Sequence, residues 1–123
     1  FSRATVLGEG SGATLFISGT ASIVGHQTRH AGDPAAQTRE TLVNIEALLA
    51  EAAARGGMRA LDLAALAYKV YVRDPQELPV IRRQLESAVG ARAALLYLKA
   101  DICRRDLSVE IEAVGGGGWR PAS

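Results

Sequence analysis

Leu107-Ser108-Val109-Glu110-Ile111-Glu112-Ala113-Val114 alternates apolar and polar side chains with little interruption. Successive side chains of a strand leave on opposite faces. Leu107, Val109, Ile111 and Ala113 therefore share one face, and Glu110 and Glu112 share the other. Such a strand needs a hydrophobic layer on one side only. Working outward from it, Leu66-Ala67-Tyr68-Lys69-Val70-Tyr71-Val72 has the same period, with Leu66, Tyr68, Val70 and Val72 on the core side. Leu95–Ala100 reads as a further strand, and Thr5–Leu7 and Thr14–Ser18 as two short ones. Gly8, Gly10, Ser11 and Gly12 between the last two mark a hairpin turn.

The missing layer is supplied by two helices. Asp33-Pro34 is a start signal, since Asp caps free N–H groups and proline suits the first helical position. Leu42, Ile45, Leu49 and Ala52 then form an apolar stripe ending near Arg55, before Gly56-Gly57. Asp74-Pro75 opens a second helix whose first regular turn is expected at Pro79, with Ile81, Leu85 and Ala88 buried and Gly90 ending it. Residues 23–33 read as a loop. The order is β-β-α-β-α-β-β, and the expectation is an α+β domain with both helices on one face of a mostly antiparallel or mixed sheet. Residues 1–114 form that single domain, and 115–123, beginning with four glycines, read as a flexible tail.

Composition agrees. The chain has 123 residues and 12.9 kDa, 48% hydrophobic and 22% charged, a normal single-domain balance. A net charge of +1 gives no general pull toward nucleic acid. No apolar run approaches the roughly 18 residues of a membrane helix. One cysteine, Cys103, excludes an internal disulfide framework and fits a reducing, cytoplasmic setting. The chain begins at Phe1 and its one methionine is Met58, so the expectation is that further residues precede it.

Glu110 and Glu112 would stand about 7 Å apart on one strand face. They read either as a solvated outer face or as a carboxylate pair in a cleft, where one like charge raises the other's pKa and favours a proton donor. Cys103 beside Arg104 and Arg105 is either a small filler, a shaper of a pocket, or an activated thiolate. His26 and His30 lack the context of a metal motif. Gly8-Glu9-Gly10-Ser11-Gly12 lacks the ending of a phosphate loop and precedes a strand. Nothing calls for a metal or an organic cofactor.

Ser18-Gly19, the stretch Ala35-Ala36-Gln37-Thr38-Arg39-Glu40-Thr41-Leu42-Val43-Asn44-Ile45 and the closing Val109-Glu110-Ile111-Glu112-Ala113 resemble the RidA (YjgF) superfamily. The resemblance implies its chorismate-mutase-like fold, ligand clefts between protomers of a homotrimer, and Glu110 as a cleft residue. Deaminases of that superfamily carry a carboxylate-binding arginine on the penultimate strand. Counting back from Glu110 places Leu95 there, which speaks against deamination.

Phe1-Ser2-Arg3-Ala4, Ser18-Gly19-Thr20-Ala21-Ser22-Ile23-Val24-Gly25-His26 and Tyr97-Leu98-Lys99-Ala100-Asp101-Ile102-Cys103-Arg104-Arg105-Asp106-Leu107 resemble, more narrowly, the C-terminal half of chorismatases. Those enzymes cleave chorismate to pyruvate and either a dihydrodiol acid or a hydroxybenzoate, and they carry an additional N-terminal domain. The resemblance implies chorismate as the small-molecule substrate, with no nucleic acid or membrane partner, and Glu110 as the acid. It implies Cys103 at the catalytic pocket, and Gly19, Thr20, Ala21, Arg3 and Arg104 as substrate-binding candidates. Gly19 and Cys103 resemble the pocket of the 3-hydroxybenzoate-forming branch. The alternatives are a RidA-like trimer that binds or deaminates a small carboxylate, and a fragment inactive without its N-terminal partner domain.

Overall fold

The computed structural model describes residues 3–8, 13–20, 23–24, 27–28, 32–55, 61–90, 94–100, 102 and 107–116. Its frame is a five-stranded mixed sheet of β1 (Arg3–Leu7), β2 (Thr14–Thr20), β5 (Leu66–Val72), β6 (Ala94–Lys99) and β7 (Val109–Gly116). The spatial order is β1-β2-β7-β5-β6. All neighbours run antiparallel except β5 and β6, which the crossover through a helix makes parallel. The last strand in sequence thus lies at the centre of the sheet. Its alternation follows from the helices covering one face of the sheet only.

The helices are α1 (Pro34–Ala54) and α2 (Leu78–Val89). The Asp33 side chain accepts from Ala36 N at 3.0 Å, the expected cap. A 3-10 turn, Pro75–Glu77, precedes α2, and the Asp74 side chain accepts from Gln76 N at 2.9 Å. Leu42, Ile45, Leu49 and Ala52 of α1 and Ile81, Leu85 and Val89 of α2 join the inward side chains of β2, β5 and β7 in one core. Both helices therefore cover the same face of the sheet, as expected for α+β. No helix among the described residues is long and apolar enough to cross a membrane.

Three expectations need correction. Val89, not Ala88, completes the buried stripe of α2; Ala88 is exposed. Spacing four residues apart carries the stripe from Ile81 through Leu85 to Val89 on a slowly drifting helix face. The stretch expected as a loop contains a small ladder, β3 (Ile23–Val24) against β4 (Gln27–Thr28). Finally, β7 runs on through Gly115 and Gly116, which pair with Leu15 and Thr14 of β2. The glycines have a packing role there. A Cβ on Gly115 would stand 2.3 Å from Leu66 Cδ2, and Gly116 has φ of 80°, which favours glycine. Residues 117–123 of the expected tail lie outside the described residues.

Candidate functional site

The outer face of the sheet, opposite the helices, carries Ser18 of β2, Lys69 and Tyr71 of β5, and Glu110 and Glu112 of β7. Register decides who meets whom. Glu110 lies across from Tyr71, and Glu112 across from Lys69. On the other side, β2 slips against β7: Ile17 pairs with Ala113 but Thr20 with Ile111, three steps along one strand to two along the other. The extra residue is a bulge at Ser18-Gly19. Bulges re-aim side chains and bend the strand locally. Here the bulge brings the Gly19 backbone beside the Glu110 carboxyl: a Cβ on Gly19 would stand 2.9 Å from Glu110 Oε1 and 3.4 Å from its Cδ. Glycine leaves a notch that the carboxyl occupies.

That notch shapes the electrostatics. Glu110 is half-buried, and burial first, then the Glu112 charge, holds its carboxyl above the usual carboxylate range. On Tyr71, lost solvation, the charge and hydrogen bond of Glu112, and the Glu110 charge raise the phenol above its ordinary value. The two glutamates therefore differ. Glu112 is engaged by Tyr71, while Glu110, beside Gly19, holds its proton more readily than a free side chain would. A carboxylic acid of this kind can deliver a proton.

Beyond Glu112 the same face opens into a groove of about 610 Å³, lined mainly by Phe16, Ser18, Lys69, Leu96, Glu112 and Val114. Phe16 and Leu96 are 45% and 51% exposed on this face. Glu110 lies one strand period beyond the groove lining.

The sequence candidates separate. Glu110 and Gly19 are brought together. Thr20 is fully buried, and its hydroxyl donates to Ser18 O at 3.0 Å. Its side chain thus braces the bulge from within. Arg3 pairs through its backbone with Ser18, and its side chain is outside the described residues. Ala21, Cys103, Arg104, His26 and His30 also lie outside them. Tyr71 and Lys69 are additions. Alternation had assigned them to the non-core face of their strand, but nothing local in the sequence aligns β5 with β7.

No family model matches the sequence. The chain is 43% identical over 121 residues to a 3-hydroxybenzoate synthase of Streptomyces hygroscopicus, covering 93% of this chain and 36% of that protein. It is 43% identical over 119 residues to a chorismatase of Streptomyces rapamycinicus, with the same coverages of 93% and 36%. The chain spans about a third of the length of the curated relatives it matches. Among solved structures it superposes on a chorismatase with a TM-score of 0.86 and 41% identity, over 93% of this chain and 35% of that one. A YjgF-family protein of Mycobacterium tuberculosis gives a TM-score of 0.72 at 26% identity, over 94% of this chain and 86% of that one. The fold is the RidA/YjgF fold.

Proposed function

We propose that this chain forms the acid-bearing part of an enzyme that cleaves chorismate to pyruvate and 3-hydroxybenzoate. The observation that carries the reading is the Glu110 carboxyl, half-buried in the space left by Gly19 and biased toward its protonated form. The 43% identity to a 3-hydroxybenzoate synthase supports the choice of substrate.

Chorismate is an enol ether. Glu110 gives its proton to the terminal methylene carbon; a C–H bond forms, and the ether-bearing carbon becomes oxocarbenium-like. Carbon accepts protons poorly, so the acid must be positioned and kept protonated. The ring hydroxyl then attacks the neighbouring ring carbon, and the C–O bond to the pyruvyl group breaks. The proton lost from that hydroxyl returns to the Glu110 carboxylate; the arene oxide then opens, its oxygen taking up one proton as the ring carbon gives up one and the ring becomes aromatic. The atoms of chorismate divide between the two products without water. Excluding water favours this route over the one that ends in a dihydrodiol. The Gly19 backbone lies against the acid and so sets the width of the pocket there. Cys103 is proposed as its second wall. Arg3 and Arg104 are proposed clamps for the substrate carboxylates, since guanidinium groups bind carboxylates bidentately. The apolar outer face around Phe16 and Leu96 fits a cleft closed by another protomer or by a partner domain.

The test is incubation of the full protein with chorismate and separation of products by liquid chromatography with mass detection. Pyruvate plus 3-hydroxybenzoate is expected. Glu110→Gln is expected to lower turnover by at least about 10²-fold, the typical contribution of a general acid, with an unchanged far-ultraviolet spectrum. Full activity in that variant would remove Glu110 from the mechanism. Pyruvate plus a dihydrodiol would keep the acid and reject the product branch.

A further inference from the structure

The approach to β7 is gripped from two sides by polar side chains that the proposed reaction does not use. Gln37, in the first turn of α1, is fully buried, and its Oε1 accepts from Ser108 N at 2.7 Å. Arg73 follows β5 directly. Its Nε donates to Leu107 O at 3.0 Å, its Nη2 donates to Ile102 O, and its backbone N–H donates to Ser108 O at 3.2 Å. Both backbone groups of Ser108 are thus taken, one by α1 and one by the end of β5. A single guanidinium ties together the carbonyls at the two ends of segment 102–107.

This grip is more than ordinary satisfaction of polar groups. A buried amide side chain is costly unless bonded, and an apolar residue at Gln37 would pack against the core without that cost. What the amide supplies is a fixed partner for the buried N–H of Ser108, which precedes the strand ladder. Ser108 is two residues before Glu110 and adjoins the first residue of β7. A shift of the backbone at Ser108 passes along two residues of chain to Glu110, whose carboxyl lies beside Gly19.

We infer that Gln37 and Arg73 are positioning residues for Glu110: by fixing where β7 begins, they hold its carboxyl in the space left by Gly19. The inference rests on the reading of Glu110 as the acid.

The experiment uses Arg73→Lys and Gln37→Leu in the full protein. Lysine keeps charge and reach but has no fork to hold two carbonyls at once. Two readouts are taken: steady-state kinetics with chorismate, normalised to folded protein by circular dichroism, and a carbon-13 NMR titration of the Glu110 carboxyl, assigned with Glu110→Gln. Misplacement of a reacting group by an ångström costs about 10- to 100-fold, so kcat is expected to fall by that factor with KM changed by less than about threefold. The Glu110 midpoint is expected to move toward the ordinary carboxylate value. If Gln37→Leu does not fold, Arg73→Lys decides alone. An unchanged Glu110 midpoint together with an unchanged kcat per folded molecule in Arg73→Lys would overturn the inference, as would a change confined to KM. A midpoint that moves in a protein that does not turn over chorismate would uphold the positioning and reject the acid reading.

Discussion

The Glu110 carboxyl and the missing side chain of Gly19 act as one feature. Adding a methyl group at Gly19 would leave 2.9 Å between Cβ and Glu110 Oε1, closer than any relaxed contact. Gly19→Ala is therefore expected to displace the carboxyl, reducing kcat more than KM and raising the share of dihydrodiol among the products; product analysis of that variant checks it. The same burial has a consequence for stability. The Glu110 pKa is raised in the folded protein, so over the range between the unfolded and folded values the native state binds more protons than the unfolded chain. Folding stability contributed by this group consequently falls as pH rises through that range. Among the described residues, the groups beside it are Tyr71 across the ladder and Glu112 on its own strand, and neither supplies a compensating positive charge. Glu110→Gln is expected to be more heat-stable than the parent at neutral pH, with the difference vanishing below about pH 4, where even an unperturbed glutamate is protonated. Melting curves at the two pH values decide this.

At the level of elements, β7 does most of the organising. Its inner face fills the core between β2 and β5, and its outer face presents both glutamates. Its ending depends on glycine. A side chain at Gly115 would meet the fully buried Leu66, with Ala65 O a further 3.3 Å neighbour. Gly115→Ala is expected to cost about 1–3 kcal/mol, the usual penalty of overpacking, visible as a lower urea midpoint with an unchanged slope. The four-glycine run looked like a tail because glycine weakens strands in general. Here half of that run is strand, because the strand must pass close beside Leu66 and then turn through a positive φ. The helices were legible from capping and spacing. What spacing alone missed was the buried polar set of α1, Gln37, Thr38 and Thr41. Two of these bond back to their own helix: Thr38 Oγ1 to Pro34 O at 2.8 Å and Thr41 Oγ1 to Gln37 O at 2.7 Å. Their hydroxyls are satisfied locally, so burial costs them little.

The whole molecule has one closed face and one open face. The helices close the first. The second exposes Phe16 on β2, next to β7, and Leu96 on β6, two strands away from β7, with a groove of about 610 Å³ on that face. If that face is the wall of a shared cleft, a charge placed on it harms function more than folding. Leu96→Glu is expected to leave the circular dichroism spectrum intact and to lower chorismate turnover by at least about tenfold, since an unpaired charge in a covered apolar contact is strongly disfavoured. Turnover equal to the parent's would show that the face is solvated in the working protein.

The amino-acid sequence determined the five main strands, the two helices, most of their inward faces and the fold class. Period-two and period-3.6 patterns record which side chains leave water, and caps and glycines record where each run stops. It also marked Glu110 and Gly19, through the resemblance of short separated motifs. Only the tertiary structure decided that these two touch, that Tyr71 and Lys69 stand opposite the glutamates, and that Gln37 and Arg73 hold the strand's entry. Those facts depend on strand order, on a one-residue slip between β2 and β7, and on contacts across long separations in the chain. Local pattern carries no record of register between strands distant in sequence, because each strand's alternation is the same whichever partner it meets.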